Sequence, residues 1–176
     1  MEKKKIVIAA IILFMMAVWL FPPEVAAETR KYKISIYLTR MEWATIPTLE
    51  GQGYWLAEFK GTTFWDDGEI SAYSGAAIGD SYMGKGLAQN CITHTFADGS
   101  TIVSKNKYMN ITAPDGKTAV LEDITGEIVK GTGRFAGIKG TIAAKGKRLT
   151  PISSGLKDTR GDTVAEGSMT FTLPSK

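Results

Sequence analysis

One histidine and one cysteine occur in the whole chain, His94 and Cys91, three residues apart. A thiolate–imidazolium pair is the first chemistry such a couple suggests. On a strand, however, residues three apart point to opposite faces, so the two meet only if a bulge intervenes. The plainer reading makes His94 a packed or exposed strand residue, with ligand contact as the lesser alternative, and Cys91 a small buried hydrophobe. Two such residues are too few for the usual zinc cages, which take three or four Cys/His ligands or a carboxylate mixture.

Carboxylates cluster at Asp66, Asp67 and Glu69 and again at Glu122 and Asp123. Glycosidic acid–base work needs two carboxylates converging across a cleft. Neighbours on a strand diverge, and Asp66-Asp67-Gly68 reads better as a turn. A loose calcium contact at that turn is a weaker alternative, since no twelve-residue EF-hand loop surrounds it. Tyr73-Ser74-Gly75 lacks the first glycine of a nucleophile elbow, because Ala72 stands in its place. Twenty-one basic residues against 18 acidic give a net charge of +3, and no Lys/Arg cluster interleaves with aromatics, so no nucleic-acid partner is expected.

Aromatic residues are more informative. Trp43, Tyr54, Trp55, Phe59, Phe64 and Trp65 fall within 23 residues. Tryptophan offers a large apolar face and one donor, suited to gripping an apolar or sugar ligand or to plugging a barrel end. Trp43, Trp55 and Trp65, with His94 and Tyr108, are the candidate ligand-binding residues; no catalytic residue is assigned.

The most specific string is Gly131-Thr132-Gly133-Arg134-Phe135-Ala136-Gly137-Ile138-Lys139-Gly140. A dinucleotide fingerprint would need a helix to follow at once, whereas Thr141–Lys147 is strand-like. The glycines Gly131, Gly133, Gly137 and Gly140 instead suit a tight strand-to-strand turn, with Phe135 and Ile138 packing into the core. This string resembles that of the allene oxide cyclase and dirigent-like barrels, and of uncharacterised secreted bacterial proteins with the same pattern. Gly84-Lys85-Gly86, Cys91-Ile92-Thr93 and Asp98-Gly99-Ser100 lie upstream in the matching order, so the likeness covers roughly Gly84 to Leu173. It implies an eight-stranded antiparallel barrel of calycin-like shape. The plant enzymes of that group bind hydrophobic or phenolic intermediates and steer a cyclisation or coupling without a metal or organic cofactor. None of their catalytic positions transfers to a residue of this chain.

The elements that must position these residues follow from period-two hydrophobicity and glycine punctuation. Tyr32, Ile34, Ile36 and Leu38 share one face of a strand at Lys31–Thr39. Met41–Gln52 reads as a loop or crossing segment, broken by Pro47. Gly53–Lys60 with Thr62–Trp65, Glu69–Ile78, Leu87–Phe96, Thr101–Thr112, Ala119–Lys130, Phe135–Leu149 and Thr163–Leu173 are the remaining strands. Turns are expected at Asp66-Asp67-Gly68, Ala97–Ser100 and Pro114–Lys117, and a polar loop at Pro151–Asp162. The fold class is therefore all-β: one antiparallel, about eight-stranded closed barrel. Closure removes exposed sheet edges, and glycines let strongly coiled strands bend.

Ahead of the barrel, Met1–Lys5 is basic, Ile6–Phe21 is an unbroken apolar run of 16 residues, and Val25-Ala26-Ala27 ends in small residues. This is a secretory signal pattern with cleavage after Ala27. As a helix the run would span roughly 24 Å, short of the ~30 Å hydrocarbon core. An uncleaved anchor at residues 6–21 is the alternative. Domains of 1–27 (signal peptide) and 28–176 (barrel) result, and all 19 glycines fall in the second. The expected location is the periplasm or the extracellular space, with only transient membrane contact through the signal segment.

The sequence thus leads to an exported, cofactor-free barrel with no metal site, leaning away from catalysis. Its expected role is to bind a small apolar or aromatic ligand or to serve as an interaction module, and homo-oligomers are compatible with it. The alternative is a cyclase- or dirigent-like enzyme steering a reactive intermediate in the lumen. A filled lumen would defeat both the enzyme and the interior ligand. A hollow one with several polar side chains facing apolar walls would favour the enzyme.

Overall fold

A computed structural model describes residues 26–114, 118–150 and 161–174. Eight strands follow one another: β1 (Glu28–Thr45), β2 (Gln52–Trp65), β3 (Ile70–Tyr82), β4 (Lys85–Phe96), β5 (Thr101–Thr112), β6 (Ala119–Gly131), β7 (Lys139–Arg148) and β8 (Thr163–Thr172). Each pairs antiparallel with the next, and β8 returns to β1 through pairs from Glu28–Phe171 to Ile36–Thr163, closing the barrel. Among the described strands no edge is left for another chain to extend. The connections β2–β3, β4–β5 and β6–β7 lie at one end with the start of β1, here called the base. The opposite end of the barrel is the mouth.

Tyr32, Ile34, Ile36 and Leu38 face inward on β1 as their alternation requires. The strand then continues past Thr39 to Thr45, where a loop was expected from Met41 onward. The physical reason is a bulge. Leu38 pairs with Phe59 and Arg40 with Glu58, leaving Thr39 as an extra residue. A bulge adds one residue to one strand and shifts the side-chain phase. The inward face passes from even to odd numbers, bringing Met41 opposite Ala57 and Trp43 opposite Trp55.

A second departure concerns Phe135–Leu149. Gly133–Phe135 is a single 3₁₀ turn, and β7 starts only at Lys139. Gly133 (φ +60°) and Gly137 (φ +79°) take left-handed backbone angles that bend the chain out of a strand. Gly131 and Gly140 allow close approach: a Cβ on either would lie 2.1 Å from the Phe135 carbonyl oxygen or 2.2 Å from that of Thr170. Phe135 and Ile138 are buried, as the string predicts. The turns at Gly68 and Gly99 carry the expected positive φ. The expected Pro114–Lys117 turn, Pro151–Asp162 loop and signal segment fall largely or wholly outside the described residues.

The base is sealed by stacked rings and ions. Arg30, 7% exposed, lies over Trp65 with its guanidinium carbon 4.6 Å from the ring centre. Arg134 lies over Phe96 and Phe135 at 4.8 and 4.7 Å. Glu69 pairs with both arginines, Asp67 with Arg30, and Asp98 with Arg134. The Asp66–Glu69 turn therefore works as an ionic clamp in which Asp67 and Glu69 face arginines.

Candidate functional site

Above this base the barrel is hollow. A cavity of about 410 Å³ fills its middle and mouth half, within the range of small-molecule pockets. Its apolar wall comes from the inward phases of β1, β6 and β7, with Ile34, Ile36, Leu121, Ile124 and Ile142. Trp55, Phe59 and Tyr73 form the aromatic wall, with Phe59 stacked on Tyr73 at 5.7 Å. The small side chains Ala57 and Ala77 on β2 and β3 leave the space open.

His94 lines the floor of the cavity, 2% exposed, among Tyr32, Trp65 and Tyr73 with ring centres 6.2, 5.3 and 5.3 Å away. Its Nδ1 lies 3.1 Å from the Thr63 hydroxyl. Burial favours the uncharged ring and pulls its pKa down to about 3. The imidazole is neutral at physiological pH, which makes it a hydrogen-bonding contact and a very weak base. Burial likewise pushes the phenols of Tyr32, Tyr73 and Tyr108 upward, so all three keep their protons.

The β4–β5 wall is polar. Asn90, Ile92 and His94 share the inward face of β4, and Ser104, Asn106, Tyr108 and Asn110 share that of β5. The Asn106 amide donates to Asn90 Oδ1 at 2.7 Å and to Ser104 Oγ at 3.2 Å. Its own carbonyl has no partner and lies against Gly126, where a Cβ would come within 2.0 Å of it. Asn110 Oδ1 is also buried without a partner. At the mouth, half-buried Arg148 is the one charged residue of the described lining.

Of the residues selected from sequence, Trp43, Trp55, His94 and Tyr108 line this one cavity. Trp43 is half exposed at the mouth. Trp55 is buried, with its indole N–H donating to the Asp80 carbonyl at 3.2 Å. Trp65 lies outside the lining: its ring forms part of the base, and its N–H donates to Ser71 Oγ at 3.0 Å. Cys91 is exposed rather than buried, which corrects the expectation made for it. Strand alternation explains this, since His94 takes the inward position and places Cys91 outside. The thiol and the imidazole therefore form no dyad.

Tyr73, Asn90, Ser104, Asn106, Asn110 and Arg148 were not singled out from sequence, and Tyr32 was read only as part of a strand face. For Asn90, Ser104, Asn106 and Asn110 the signal was the inward phase of β4 and β5, in which polar residues occupy positions a packed core would give to apolar ones. Among the described residues no group of three His, Cys, Asp or Glu side chains is placed to hold a metal ion. No protein-family model matches this chain, and no curated protein matches it in sequence.

Proposed function

We propose that this chain is an exported β-barrel whose lumen binds a small apolar or aromatic molecule. The single observation behind this reading is the hollow lumen of about 410 Å³ between an aliphatic wall and an aromatic one. A domain of this size normally closes its core at crystal-like density. Here a buried floor lies beneath open space instead of packed side chains. The sealed base leaves the mouth as the route for exchange. Export rests on the apolar run ahead of Glu28, where β1 begins. Kinship with the allene oxide cyclase and dirigent-like barrels is part of the proposal, supported by the eight-stranded closure and the glycine string.

The test is equilibrium binding of a neutral fluorescent aromatic probe, anilinonaphthalene, to the chain starting at Glu28, which contains all eight strands. Saturable one-to-one binding is expected. Intact mass measurement of exported material tests the leader, with loss of residues 1–27 expected.

A second reading, the cyclase- or dirigent-like enzyme, is favoured by the polar wall of Asn90, Ser104, Asn106 and Tyr108 facing the aliphatic side. His94 argues against a general base, because a catalytic base works best with a pKa near the operating pH. Such an enzyme would act by shaping the bound conformer. Recovery of a bound natural ligand unchanged after incubation supports the binding protein, and its conversion supports the enzyme.

A further inference from the structure

We propose that the natural occupant of the lumen is an organic anion: an apolar or aromatic body ending in one acidic group, which Arg148 holds at the mouth. The inference rests on the lumen-binding reading and adds the ligand's charge and orientation.

Arg148 closes β7 at the mouth end and lies opposite Ala119 on β6 and Thr163 on β8. Its side chain lines the cavity, yet no carboxylate among the described residues pairs with it. The other arginines of the described barrel differ. Arg30, Arg40 and Arg134 each meet two acidic side chains. The Nε of Arg148 is also buried without an acceptor. Burial lowers its pKa from the ordinary value, offset among the described residues by the Tyr108 phenol and by no carboxylate. Removing a cation from water is costly unless it is paired. An acidic group entering from the mouth would supply that partner, and a guanidinium binds planar or tetrahedral oxyanions in a two-point grip.

The rest of the lumen sets the orientation. No Asp, Glu or Lys lines the described cavity, and the His94 at its floor is uncharged. An anion therefore meets no like charge on entering and finds no second cation deeper in. The charged end stays at Arg148, beside the Tyr108 phenol. The apolar end reaches toward Phe59 and Tyr73.

Two probes that differ by one group provide the test: anilinonaphthalene and its sulfonate, titrated by fluorescence into the chain starting at Glu28. The sulfonate is expected to bind at least about tenfold tighter, and the neutral probe to displace it competitively. Arg148→Gln should abolish that preference by weakening the sulfonate more than the neutral probe, and Arg148→Lys should retain part of it. Equal affinities in the wild type, a sulfonate that the neutral probe does not displace, or an Arg148→Gln variant that keeps the preference would each overturn the anion proposal while the lumen reading stands. Failure of both probes to bind would overturn the lumen reading and the anion proposal together.

Discussion

Thr63 Oγ1 lies 3.1 Å from His94 Nδ1, and both side chains are buried at the junction between the sealed base and the hollow lumen. This contact fixes the one imidazole of the chain at the cavity floor, in a setting that strongly disfavours its protonation. The consequence for stability can be measured.

Between its ordinary pKa of 6.5 and about 3, His94 takes up a proton in the unfolded chain and not in the folded one. The unfolded state then binds more protons, so stability falls as pH falls through this window. Linkage puts the loss at about 2 kcal/mol between roughly pH 8 and pH 5. Since His94 is the only histidine, His94→Gln should flatten the pH dependence across that range, as read from urea midpoints. An unchanged slope in the variant would rule out a buried neutral His94 as its source.

Glu69 separates stability from binding. It bridges Arg30 and Arg134 beneath the cavity and is not part of the lining. Glu69→Gln should cost about 1–3 kcal/mol by leaving the buried Arg30 with one carboxylate. Affinity for a lumen probe, measured under folding conditions, should change less than about twofold.

Asn110 should behave in the opposite way. Its amide oxygen is buried without a partner on the cavity wall, a feature that binding sites retain at some expense of stability. Asn110→Leu is expected to raise stability by about 1 kcal/mol. Chemical denaturation decides the matter, and a less stable variant would mean that the amide already has a partner.

Gly140→Ala tests the glycine string as a packing device. The added methyl would meet the Thr170 carbonyl oxygen on β8 at 2.2 Å. A loss of about 1–3 kcal/mol is expected from overpacking, visible as a lowered thermal midpoint. A neutral result would show that β7 and β8 separate freely.

These residues also show how far the sequence could be read. Period-two runs such as Tyr32–Leu38 and the glycine turns at Gly68 and Gly99 made the closed eight-stranded barrel legible, because alternation and positive φ are local properties. The bulge at Thr39 was not legible. It arises from pairing with β2, and it alone turns Met41 and Trp43 inward. Trp65 and Trp55 looked equivalent as residue types, yet ring stacking with Arg30 puts one in the base while the other lines the lumen. Arg148 was indistinguishable from any other basic residue until the barrel closed and left it on the cavity wall with no carboxylate paired to it among the described residues.

The lumen itself is tested most directly by comparing neutral-probe binding in the wild type and in Ala77→Leu, a substitution that enlarges a small side chain of the cavity lining, opposite Ala57. The account predicts saturable one-to-one binding to the wild type, and affinity at least about tenfold weaker in the variant with the fold retained by circular dichroism. Equal binding by both proteins, or none by the wild type, would contradict it.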